Sequence, residues 1–132
     1  MSRLFSIIST ILLVCILAST SFADEIMPCA DSEFASATTT LQASKQVSFR
    51  AVTNNVKSSI SVTACWLEKE NSDGTWTWVC SLPAPDYVAS GTFAYSTTKD
   101  YSSYIGTGTY RVQATYNADG HSITRCSNER TF

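Results

Sequence analysis

The sequence predicts a small all-β protein, an antiparallel β-sandwich of about seven short strands. Two stretches of the form Asn-x-Asp-Gly, Asn71–Gly74 and Asn117–Gly120, each lie between arms rich in β-branched and aromatic residues. Apolar residues in those arms alternate with polar ones at a period of two. No window beyond the first residues carries a helical period. The spacing of strands and turns favours a sandwich over a small barrel.

The N-terminus stands apart from that pattern. Arg3 precedes an apolar run from Leu4 to Ala18, and Ser21-Phe22-Ala23 places small residues where a signal peptidase reads them. The run is short of the ~20 residues of a bilayer span. Residues 1–23 are therefore expected to be a helical signal peptide, cleaved after Ala23. Residues 24–33, with Pro28 and Cys29, read as an extended arm, and 34–132 as the sandwich domain. In the mature chain 9 Lys+Arg less Arg3 leaves 8 against 11 Asp+Glu, a net charge of −3. That balance, with no basic run, argues against a nucleic-acid partner and against anionic membranes after cleavage.

Phe34 to Gln42 makes a plausible first strand. Lys45 to Thr53 sets Val47, Phe49 and Ala51 on one face, and Asn54-Asn55 ends it. Ile60 to Leu82 is a hairpin whose three-residue loop, with Gly74 as a G1 bulge, pairs Asn71 with Thr75. Continued without interruption, that register sets Trp66 opposite Cys80, Glu68 opposite Trp78, Glu70 opposite Trp76 and Ala64 opposite Leu82. Trp66, Trp76, Trp78 and Cys80 then share the apolar face with Ile60 and Val62. Cys65 and Leu67 fall on the other. Pro83-Ala84-Pro85 stops the hairpin. Val88 to Ser96 is a further strand with Phe93 and Tyr95 on one face, and Thr97 to Ser103 a polar loop. Thr109 to Cys126 is a second hairpin with the same loop, pairing Asn117 with His121, Thr115 with Ile123 and Val112 with Cys126. Tyr110, Val112, Ala114, Tyr116 and Cys126 then face inward, and Arg111, Gln113, Thr115 and Ile123 outward.

Four cysteines remain after Cys15 leaves with the leader, an even number that points to two disulfides in an exported chain. On these registers Cys65 and Cys80 lie on opposite faces. Cys80 and Cys126 both face inward on separate hairpins. The expected pairing is Cys80–Cys126, with Cys29 of the arm reaching Cys65 on the outer face. The first bond would be worth ~4 kcal/mol in the loop-entropy picture.

Thr38-Thr39-Thr40-Leu41-Gln42, Ile60-Ser61-Val62 leading to Leu67-Glu68, Gly74-Thr75-Trp76, Gly108-Thr109-Tyr110-Arg111-Val112 and Thr124-Arg125 occur in that order along most of the mature chain. In this the chain resembles a family of small secreted proteins from Gram-positive anaerobes, catalogued as a domain of unknown function. The resemblance implies export and an immunoglobulin-like β-sandwich. It implies no activity and no functional residues.

No chemistry-bearing constellation stands out. His121 is the only histidine and sits on a hairpin shoulder, where the simpler reading is a solvated turn residue. Glu68 and Glu70 lie two apart on one strand, whereas glycosidase carboxylates face each other across a cleft. They read better as neighbours of Trp78 and Trp76. No metal or cofactor motif occurs, so neither a metal, a cofactor nor an enzyme is expected. The candidate ligand contacts are Trp76 and Trp78 as an aromatic platform, with Tyr101 and Tyr104 as loop contacts. Packing into the core is the favoured competing role for the tryptophans. The expectation is a secreted interaction module for an extracellular protein or glycan. Its alternative is a secreted antagonistic protein, a bacteriocin or small toxin, which growth inhibition by the purified protein would distinguish.

Overall fold

The computed structural model describes Asp31–Phe132; the expected signal peptide, its helix and Cys29 lie outside the described residues. Eight strands follow in order: β1 (Phe34–Leu41), β2 (Gln46–Lys57), β3 (Ile60–Glu70), β4 (Trp76–Leu82), β5 (Thr92–Asp100), β6 (Thr109–Ala118), β7 (His121–Cys126) and the short β8 (Arg130–Thr131). All pairings are antiparallel. One sheet has the order β1-β2-β5. The other has the order β4-β3-β6-β7, with β8 also on β6.

The two sheets bury their facing side chains against each other. From the first come Phe34, Leu41, Val47, Phe49 and Ala51; from the second Ile60, Val62, Leu67, Val112 and Tyr116. The clean alternation of β2 and β6 survives in the structure, because every second residue there is apolar and one face is buried. Tyr116 carries a polar handle across the core. Its hydroxyl donates to the Thr38 carbonyl at 2.8 Å and lies 2.9 Å from Thr39 Oγ1. Asn128 stands in for a missing neighbour at the edge of β1, accepting from Leu41 N at 2.9 Å and donating to Leu41 O at 3.1 Å.

Boundaries shift where pairing overrides local polarity. β2 runs past Asn54-Asn55 to Lys57. The fifth strand begins at Thr92 and takes in Thr97–Asp100, which pair with Gln46–Phe49. The expected polar loop is thus half strand. Tyr95 is buried, whereas Phe93 is exposed at the end of the sandwich.

The first hairpin turn is as expected. Asn71 N donates to Thr75 O at 2.7 Å, Gly74 N to Asn71 O at 3.0 Å, and Gly74 has φ 83°. Beyond the turn, Glu70 pairs with Trp76 and Glu68 with Trp78. The arms then depart from an uninterrupted register. Val79 is extra on β4, so Leu67 pairs with Cys80, Trp66 with Ser81 and Cys65 with Leu82. A second irregularity on β3 between Val62 and Ala64 restores the match to β6. Each bulge reverses which residues face inward. Cys65 and Leu67 are therefore core, and Trp66 lies on the outer face.

The second hairpin uses a two-residue turn instead of the expected three. Asp119 (φ 48°) and Gly120 (φ 92°) are both left-handed, the form that matches strand twist. Ala118 pairs with His121, Tyr116 with Ile123 and Gln113 with Cys126. Ile123 turns to the core side and Cys126 to the outside.

These registers remove the expected Cys80–Cys126 disulfide and the outer-face position expected of Cys65, whose expected partner Cys29 lies outside the described residues. Cys80 and Cys126 belong to one sheet with β3 and β6 between them, roughly 14 Å apart at ~4.8 Å per strand, and on opposite faces. Cys65, expected on the outer face, is buried, its Sγ 3.6 Å from both the Leu82 carbonyl and the Tyr101 hydroxyl. Burial raises its pKa. Cys65, Cys80 and Cys126 are free thiols.

Candidate functional site

The outer face of the five-stranded sheet gathers the tryptophans. Once β3 has passed its bulge, Trp66, Glu68 and Glu70 point away from the core, and Trp76 and Trp78 stand beside them on β4. On the other side of β3, Gln113 pairs with Trp66 and Arg111 with Glu68. Two rows result: Ser81, Trp66, Gln113 and Cys126 in one; Trp78, Glu68 and Arg111 in the next.

Glu68 is the hub of this surface. Its Oε2 accepts from Arg111 Nε at 2.6 Å and from Gln113 Nε2 at 3.4 Å, and its Oε1 accepts from Trp66 Nε1 at 3.4 Å. Partial burial by itself raises the Glu68 pKa, but the donors, Arg111 first, outweigh it and hold the carboxylate below its usual range. The Arg111 guanidinium also lies over the Trp76 ring, 4.2 Å from its centroid. Trp76 is half-buried by that stack. Trp78 is 59% exposed. Neither tryptophan fills the core, so the competing role in packing falls away for this pair.

The two tyrosines part company. Tyr101 is fully buried and donates its hydroxyl to the Pro83 carbonyl at 2.7 Å, and burial pushes its pKa far up. It is a core residue, not a loop contact. Its ring wedges between the sheets because an aromatic hydroxyl there finds a carbonyl to bond. Tyr104 is exposed on the same loop, packed edge-on against Tyr101 at 6.2 Å and not against either tryptophan. Trp76 and Trp78 are thus brought together with Glu68, the expected neighbour of Trp78, and with Arg111 and Gln113 as ordered partners that the sequence did not single out.

His121 is more than a solvated turn residue. Its Nε2 lies 3.0 and 3.1 Å from the carboxylate oxygens of Asp31. His121 first, then the backbone N–H groups of Phe34 and Glu33, lower the Asp31 pKa to about 2. The pair ties the incoming chain to the start of β7. No hydroxyl or thiol among the described residues hydrogen-bonds to His121, so the pair does not extend to a nucleophile. Among the described residues, no three His, Cys, Asp or Glu side chains converge on a metal-sized site.

No protein-family model matches this sequence, and neither a curated protein nor a solved structure matches it. The family resemblance therefore carries no argument beyond the residues that suggested it.

Proposed function

We propose that the chain is an exported, non-catalytic β-sandwich of immunoglobulin-like strand order that binds an extracellular protein or glycan through the outer face of its five-stranded sheet. The strand order supports the immunoglobulin-like reading: three strands β1-β2-β5 face β4-β3-β6-β7, the arrangement of a short immunoglobulin-type sandwich. Arg3, the apolar run after it and Ser21-Phe22-Ala23 support export. Binding rests on one observation above all. Trp78 exposes most of its indole beside Trp76, Glu68 and Arg111, on a face where the fold does not need it.

Such a surface suits either partner class. Exposed indoles stack on flat apolar faces, and tryptophan with arginine dominates protein interfaces. Fixed donors and acceptors around Glu68 lower the entropic cost of engagement. Labelled protein applied to intact cells tests the reading, with Trp78→Ala as the control. Loss of binding after protease treatment of the cells identifies a protein partner, and loss after periodate a glycan. Binding undiminished in Trp78→Ala would overturn the site.

A further inference from the structure

The opposite face of the sandwich holds a second, chemically different surface. Along the outer side of the three-stranded sheet the registers line up three rows: Thr40-Ser48-Thr98, Thr38-Arg50-Ser96 and Ser36-Val52-Ala94. The first row is closed on itself. Ser48 Oγ accepts from Gln42 Nε2 at 2.6 Å and lies 3.2 Å from Thr98 Oγ1. The other two rows border a shallow depression of about 420 Å³. Apart from Arg50, the outward side chains around it (Ser36, Thr38, Val52, Ala94 and Ser96) are small, which leaves the sheet surface open beside the guanidinium.

Arg50 is the one charged side chain lining this depression, and no carboxylate lines it. Among the described residues its guanidinium makes no ion pair. Thr38 and Ser96, on the strands either side, offer hydroxyls one strand spacing away, ~4.8 Å. Exposed Val52 and the Ala94 methyl supply an apolar floor beside them. A single planar cation with neutral hydroxyls around it matches one negative charge. A carboxylate fits the guanidinium fork with two parallel hydrogen bonds, whereas a dianionic phosphate calls for more positive charge than this site holds. The volume falls within the ~300–1,000 Å³ of small-molecule sites.

We propose that this depression is a binding site for a small organic monocarboxylate, its carboxylate on Arg50, Thr38 and Ser96 and its carbon skeleton over Val52 and Ala94. The site is independent of the tryptophan face, on the other sheet.

Titration of the purified protein with sodium butyrate, followed by amide NMR, tests it. Shift changes should concentrate at Ser36, Thr38, Arg50, Val52, Ala94 and Ser96 and saturate on one isotherm. Arg50→Gln should weaken binding at least about ten-fold, as loss of a charged hydrogen bond does. That side chain is exposed, so the unfolding midpoint should stay put. Butyramide, equal in shape but uncharged, should bind far more weakly than butyrate. No response in the millimolar range, or an unchanged response in Arg50→Gln, would overturn the proposal. So would an equal response to butyramide, or to sulfate at matched ionic strength.

Discussion

At the scale of single residues, Arg111 ties the tryptophan face together. Its Nε holds the Glu68 carboxylate at 2.6 Å while its guanidinium covers Trp76 at 4.2 Å. Arg111→Met keeps the stem but removes both interactions. The stacked cation and a partly exposed ion pair are each modest, so the expected loss of stability is about 1 kcal/mol. The larger effect falls on order. Trp76 loses its cover and Glu68 keeps only Gln113 and Trp66 as donors. Acrylamide quenching of tryptophan fluorescence should rise in Arg111→Met, and quenching equal to wild type would show that the stack does not shield Trp76. The Arg111 position was legible in the sequence as an outward residue of β6, but its partner was not. Glu68 meets it only because β3 pairs with β6 in a register that one bulge sets.

At the scale of elements, turns were easier to read than the strands they join. Asn71–Gly74 and Asn117–Gly120 both announce hairpins, since Asp-Gly supplies the positive φ that a tight reversal needs. The pattern does not say whether two or three residues turn. In the second hairpin Asp119 decides it from outside, accepting from the N–H groups of Ser58 at 3.0 Å and Ser59 at 2.9 Å, on the β2–β3 connection. That long-range anchor leaves no local trace. The bulge at Val79 was equally hidden, although Val62 and Cys65 hint at one on β3. Two core residues three apart, where period two requires an even spacing, mark a switch of face. Misjudging these bulges put Trp66 inside and Cys65 outside, and misjudging the length of the second turn put Cys126 inside, opposite a Cys80 that lies in the same sheet. Gly120 offers a test of the two-residue turn. Its φ of 92° is costly for any side chain, and an added Cβ would meet nothing within 4 Å. Gly120→Ala should therefore cost only backbone strain, roughly 1–2 kcal/mol, seen as a lower urea midpoint with an unchanged slope. A neutral substitution would mean that Gly120 is not held left-handed in solution.

At the scale of the whole molecule, no cross-link among Cys65, Cys80 and Cys126 staples the sandwich, so its stability rests on the shared core and on polar ties between its parts. Tyr116 reaches Thr38 across the sheets, Lys57 pairs with Glu33, and Asp31 binds His121 where the chain enters. The last of these gives the fold a measurable response to acid. Asp31 has its pKa lowered to about 2, by the His121 hydrogen bond first and by the backbone N–H groups of Phe34 and Glu33 after it. A carboxyl depressed in the folded state contributes stability above its unfolded pKa of ~3.9 and loses it as pH falls through the folded value. The loss should therefore be concentrated between about pH 4 and pH 2, and should be absent near neutrality. Glu68, also depressed, adds to the same trend. Asp31→Asn keeps an oxygen that can still accept from the backbone but removes the titrating charge. Urea midpoints measured at pH 2, 3, 4 and 6 should decline less steeply in Asp31→Asn than in wild type. Glu68→Gln should remove a separate share of that decline, because the two carboxylates have no partner in common. Parallel curves for wild type and Asp31→Asn would mean that the Asp31–His121 contact does not hold the incoming chain in solution. They would leave the sandwich itself, and both faces argued from it, untouched.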